Sequence, residues 1–245
     1  MQRLLTLLAA LAFISVGGWS FLNQEIVDTW ILERNFIETH DTDDLVGLQT
    51  NETWLVLIVD FESNPSNGVW GADEARSLLA NRASDYFYQV SGNLTNVNLT
   101  VYPEVIRASN DLAYYGGDTS NRDVDADGTF MPEELAREAV EGISTPVDWD
   151  PFDLDGDGTI DRLLILHTSK GQEENPGVKN RIWSHFTHFD SPINVAEGHT
   201  VEHYTMASLQ TGTSGIGTIM HEMMHQMGAV DLYPVHDDSS FQTWK

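Results

Sequence analysis

The chain has 245 residues, 41% of them hydrophobic and 10% aromatic, which is enough for one sizeable core, and its 38 acidic against 12 basic residues give a net charge of −26. That charge repels phosphate backbones and anionic lipid, so it argues against nucleic-acid binding and polybasic membrane attachment and makes cations the natural partners. With no cysteine, a disulfide framework, a thiol nucleophile and a thiolate metal site are excluded, and any metal must be held by His, Asp and Glu.

In chain order, Met1-Gln2-Arg3 supplies a positive start and Leu4 to Val16 is a mostly apolar run, so residues 1–20 read as a secretory signal peptide. Charge is absent from Leu4 to Gln24, which also suits a retained signal anchor. Residues 21–50 are acidic and without a clear period and read as a linker or short pro-segment, leaving 51–245 as the principal domain. Thr53 to Phe61 is continuously apolar and β-branched, as expected of a strand buried on both faces, and is the expected centre of the sheet. Ala72 to Val90 places Ala75, Leu78, Leu79, Ala83, Tyr86, Phe87 and Val90 at helical spacing and predicts a packing helix. Val97 to Ile106, Ile160 to Thr168 and Arg181 to Thr187 read as further strands, and His199 to Met206 as an edge strand. Pro132 suits the first turn of a helix over Glu133 to Gly142, and Gly215 to Gly228 is the last strong helical segment. Strands mixed with helices over this length predict an α/β or α+β domain with one sheet.

The last helix carries His221-Glu222-Met223-Met224-His225. Histidines at i and i+4 stack about 6 Å apart on one helix face and can reach a single tetrahedral ion. Glu222 cannot ligate that ion from its position, but its carboxylate can take a proton from a metal-bound water and later deliver it to a leaving amine, which is peptide hydrolysis chemistry. Gly228 can take the positive φ that ends a helix, so the chain turns back and Asp231 can offer a third ligand. A Met-lined core helix with two incidental histidines is the bland reading; it gives no reason for the interposed Glu and the Gly and Asp at these offsets.

With these residues in place, the chain resembles the immune-inhibitor-A-type secreted metallopeptidases, relatives of the metzincins with the pattern His-Glu-x-x-His-x-x-Gly-x-x-Asp. The likeness continues into Leu232-Tyr233 and extends upstream through Trp70-Gly71-Ala72-Asp73, Tyr115-Gly116-Gly117, Asp153 to Asp161, Ile182-Trp183-Ser184-His185 and Tyr204-Thr205-Met206. The resemblance implies a metzincin-like zinc peptidase domain with one twisted mixed sheet, a packing helix and an active-site helix. It also implies zinc on His221, His225 and Asp231, Glu222 as general base, and calcium as a structural ion. The family's methionine-bearing turn after the third ligand has no counterpart, since the last methionine is Met227, so the catalytic domain is expected to be incomplete at its C-terminus.

Two acidic loops invite calcium. Asp123, Asp125, Asp127, the carbonyl of Thr129 and Glu134 match the positions of a calcium loop with Gly128 at the sharp turn. The second loop offers Asp153, Asp155, Asp157 and Asp161, with Leu164 where a closing bidentate Glu would stand. The bland reading of both is Asp-Gly turn chemistry. Among the remaining histidines, His185 in Trp-Ser-His is the strongest candidate for a role. The function expected is a secreted zinc endopeptidase acting as a monomer on a protein or peptide, with Zn2+ and Ca2+ as cofactors. The alternative is a calcium-stabilised extracellular binding or adhesion module with an inactive peptidase-like fold.

Overall fold

A computed structural model describes residues 45–210 and 215–231. The signal-peptide segment, nearly all of the linker segment and Leu232-Tyr233 lie outside the described residues. Five strands, β1 (Asn51–Asp60), β2 (Asn96–Arg107), β3 (Leu163–His167), β4 (His185–Ala196) and β5 (His199–Ser208), form one mixed sheet in the order β2-β1-β3-β5-β4. Among the described residues the α-helices are α1 (Ala72–Val90), α2 (Leu112–Tyr115), α3 (Pro132–Glu141) and α4 (Gly215–Gln226). The β1–β2, β1–β3 and β3–β5 pairs are parallel and β4 runs antiparallel to β5, which makes this an α/β fold.

The apolar run of β1 explains the layering. Alternate side chains leave a strand on opposite faces. Trp54, Val56 and Ile58 join one core with Ala75, Leu79, Ala83 and Phe87 of α1 and with Ile216, Ile219, Met220 and Met223 of α4. Leu55, Leu57, Val59 and Phe61 join the other, with Leu135, Ala136, Ala139 and Val140 of α3 and with Tyr204 and Met206 of β5. The sheet is therefore covered on both sides, as a parallel sheet requires. The β1–β2 register slips between Val56 and Ile58, opposite Pro103, whose missing N–H is tolerated because β2 is an edge strand.

Four expectations about the sheet are corrected. β1 is interior, but β3 holds the centre. The strand expected over Arg181 to Thr187 begins only at His185 and runs on to Ala196. The reason is that the backbone before it is engaged elsewhere: the Ile182 carbonyl accepts from the Gln172 N–H, the Trp183 N–H donates to Asp123 and the Ser184 N–H to Glu173. The segment expected as an edge, His199 to Met206, lies in β5 between β3 and β4, and β4 is the edge. Ile160 to Arg162 also fall outside β3: the Ile160 N–H donates to Thr200 and the Asp161 N–H to Phe152.

Candidate metal centre

Helix α4 packs its apolar face under β5 and presents the motif at its C-terminal half. The end of the helix is a Schellman closure. Gly228 takes φ +86°, its N–H donates to the His225 carbonyl at 2.9 Å, and the Ala229 N–H reaches back to the Met224 carbonyl at 3.0 Å. This turn reverses the chain and holds the Ala229 carbonyl 2.8 Å from His225 Nδ1. A carbonyl only accepts, so that ring nitrogen carries the proton and Nε2 of His225 offers a lone pair.

Nε2 of His225 lies 3.1 Å from Nε2 of His221. Two nitrogens each about 2.0–2.1 Å from one ion at a tetrahedral angle stand roughly 3.3–3.4 Å apart, so the pair fits a shared zinc-sized ion with little adjustment. The third ligand expected from the sequence pattern, Asp231, follows Gly228 by three residues. Glu222, between the histidines in sequence, is 8% exposed. The donor set is two imidazoles and one carboxylate, which suits a borderline divalent ion and leaves a coordination position for water.

Beneath the helix is a polar network that sequence reasoning passed over. Gln226 is fully buried; its amide nitrogen lies 2.8 Å from His203 Nδ1, and its amide oxygen accepts from Thr205 Oγ1 at 3.1 Å. Its backbone carbonyl accepts from Arg162 Nη1 at 3.0 Å. Arg162 is itself fully buried and paired with buried Glu52, Nε to Oε2 at 2.5 Å. A charged pair set at the start of two apolar strand segments, Glu52 before Trp54 and Arg162 before Leu163, is the signal that could have disclosed it.

The histidines weighed singly divide. Burial pushes His167 and His203 down to about 3 and His185 down to about 4, with the neighbouring His185 adding to the effect on His167 and His188 and Arg162 adding to that on His203, so all three are neutral. His185 is half-buried, with Nδ1 2.8 Å from the Trp183 carbonyl and Nε2 3.2 Å from the Tyr204 hydroxyl.

Of the two acidic loops, the second gathers. Ligand atoms of Asp153, Asp155 and Asp161 lie within 4.8 Å of one another. Asp161 is 2% exposed, and burial pushes it up to about 6, with Asp155 and Asp153 adding while the Leu154 N–H and Arg162 oppose. Asp157 instead accepts from the Thr159 N–H at 2.6 Å. Among the described residues the first loop forms no such group. Asp123 turns inward at φ +54° and accepts from the Trp183 N–H at 2.9 Å. Asp125 closes its own turn by accepting from the Asp127 and Thr129 N–H groups, both at 2.9 Å. The Thr129 carbonyl takes the Asp125 N–H, and Glu134 accepts from the Tyr114 hydroxyl at 3.1 Å.

The mixed sheet and the two-histidine helix with its turned-back Asp define a metallopeptidase class, and comparison with known families agrees. Residues 61–245 match the immune inhibitor A peptidase M6 catalytic domain, and the chain belongs to that family. Two curated relatives, the pre-pro-metalloprotease PrtV of Vibrio cholerae serotype O1 strains M66-2 and ATCC 39315 (El Tor Inaba N16961), are each 29% identical over 163 residues. These matches cover 52% of this chain and 16% of each relative, so the chain spans only a small part of their length.

Proposed function

We propose that this chain is a secreted zinc-dependent endopeptidase. His221, His225 and Asp231 would hold the zinc and Glu222 would serve as general base. The observation that carries the reading is the pair of imidazoles in α4, whose Nε2 atoms stand 3.1 Å apart with the His225 proton placed on the far nitrogen. Zinc bound there would polarise the scissile carbonyl and make water more acidic. Asp as third ligand lowers the net charge of that centre by one compared with a third His, so the water is less acidified and the demand on Glu222 is greater. Glu222 takes the proton of the attacking water at its carboxylate and hands it to the departing amine nitrogen. Its position between the two ligands on one helix would keep it beside a bound ion and unable to ligate it.

Calcium is proposed for the second acidic loop through Asp153, Asp155 and Asp161, whose gathered carboxylates repel one another without a cation. The first loop, Asp123 to Glu134, is the weaker proposal because its ligand atoms do not gather as those of the second do. Among the described residues no helix is long and apolar enough to cross a membrane. Residues 1–20 are proposed as the signal peptide and 21–50 as a linker or pro-segment, a reading supported by a relative whose name carries both a pre- and a pro-segment. Metal analysis tests the ligand assignment: the purified chain should hold one zinc, and His221→Ala/His225→Ala should hold none. Equal zinc in both would place the ion elsewhere and sink the assignment.

A further inference from the structure

The last carbonyls of α4 can be accounted for one by one. The Schellman closure satisfies Met224 through the Ala229 N–H and His225 through the Gly228 N–H, and leaves the Gln226 carbonyl without a backbone donor. That carbonyl is next in sequence to His225, and it is the one Arg162 takes, at 3.0 Å. The guanidinium spends its other donors on the Asp161 carbonyl at 3.1 Å, the Val46 carbonyl at 2.7 Å, and both Glu52 oxygens at 2.5 and 3.1 Å. All of its directions are used, in a place with no solvent exposure. A planar fork of this kind fixes the relative positions of everything it touches in a way that a lysine's point charge cannot. Its charge also opposes the partial negative end of the helix.

We propose that Arg162 is a positioning residue of the metal centre, which locks the C-terminal turn of α4, and through it His225 and the chain leading to Asp231, to β1 and to the Val46–Gly47 strap that precedes β1. The proposal rests on the reading that His221 and His225 hold the metal. On this proposal the linker or pro-segment ends before the strap, which belongs to the catalytic unit: seating of Val46 and Gly47 and occupancy of the metal centre favour each other, because both bias one guanidinium.

The test is metal binding by the full chain, read by chelator competition with zinc and by the visible spectrum with cobalt. Arg162→Lys and the paired Glu52→Leu/Arg162→Met, which leaves no orphaned buried charge, are compared with the wild type. Each should bind zinc about 10-fold or more weakly, the size of effect that lost outer support has on metal sites, with a shifted cobalt spectrum. A role confined to stability would lower the melting temperature and leave metal affinity and spectrum as in the wild type; folded variants that bind zinc within about twofold of wild type overturn the proposal. Hydrogen exchange on the unaltered chain gives an answer that does not depend on the variants folding. Adding zinc should slow exchange at residues 46–52 as well as in α4, and protection confined to α4 contradicts the coupling. A wild-type chain that takes up no zinc instead removes the underlying site reading.

Discussion

The bond between His225 Nδ1 and the Ala229 carbonyl decides which nitrogen faces the metal, and it exists because Gly228 lets the chain reverse. Among the described residues, its chain neighbours aside, no atom lies within 4 Å of where a Cβ on Gly228 would sit, so a substitution there costs backbone strain. Gly228→Ala should lose about 1–2 kcal/mol in urea unfolding and weaken zinc binding, with Gly228→Asn milder. A loss larger for Asn than for Ala would contradict this account. The same scale shows why part of the site was legible. His221, Glu222, His225, Gly228 and Asp231 form one local pattern whose offsets follow from helix geometry alone. Arg162, Glu52, His203 and Thr205 come from three different strands or their margins, and no spacing in the sequence announces that Arg162, His203 and Thr205 meet at Gln226 with Glu52 behind Arg162. The acidic loops fall between these cases: Asp-x-Asp spacing is visible, but which carboxylates spend their oxygens on N–H groups is decided by the fold around them.

At the scale of elements, α1 and β1 were readable because each carries a pattern strong enough to stand alone: helical spacing over 19 residues, and an apolar run buried on both faces. The start of β4 was not, because its preceding backbone is recruited by Asp123, Gln172 and Glu173, partners distant in sequence. Helix α4 depends on its underside more than on propensity. Ile219 is fully buried between α4 and the sheet, and Ile219→Ala should cost about 2–5 kcal/mol by chemical denaturation. A cost below about 1 kcal/mol would mean that α4 is not packed as described. Arg162→Met alone should cost about 3–5 kcal/mol because it leaves Glu52 charged and buried without its partner, whereas the paired Glu52→Leu/Arg162→Met should recover most of that loss.

For the molecule as a whole, a net charge of −26 sits on a folded surface whose interior also holds carboxylates, and this sets a pH signature. Burial pushes Asp123 up to about 7, with Asp118 and Glu173 adding and the Trp183 N–H and Arg122 opposing. A carboxyl raised in the folded state binds more protons there than when unfolded, so its contribution is fully present below about pH 4 and is lost as pH rises through about 7. In chelator, Asp123→Asn should therefore gain stability relative to the wild type progressively between about pH 4 and pH 7 and hold a constant advantage above. The buried histidines act oppositely: held low by burial, their contribution is present above about pH 6.5 and lost as pH falls toward about 3 to 4. A difference between Asp123→Asn and wild type that is flat with pH would show that the carboxyl is not raised. The most direct test of the central claim is zinc content and casein hydrolysis, in calcium, for the wild type and Glu222→Ala side by side. One zinc per chain is expected in both, with hydrolysis reduced about 10²-fold or more in the variant. Equal hydrolysis in the two, or a wild-type chain without zinc, would contradict that claim.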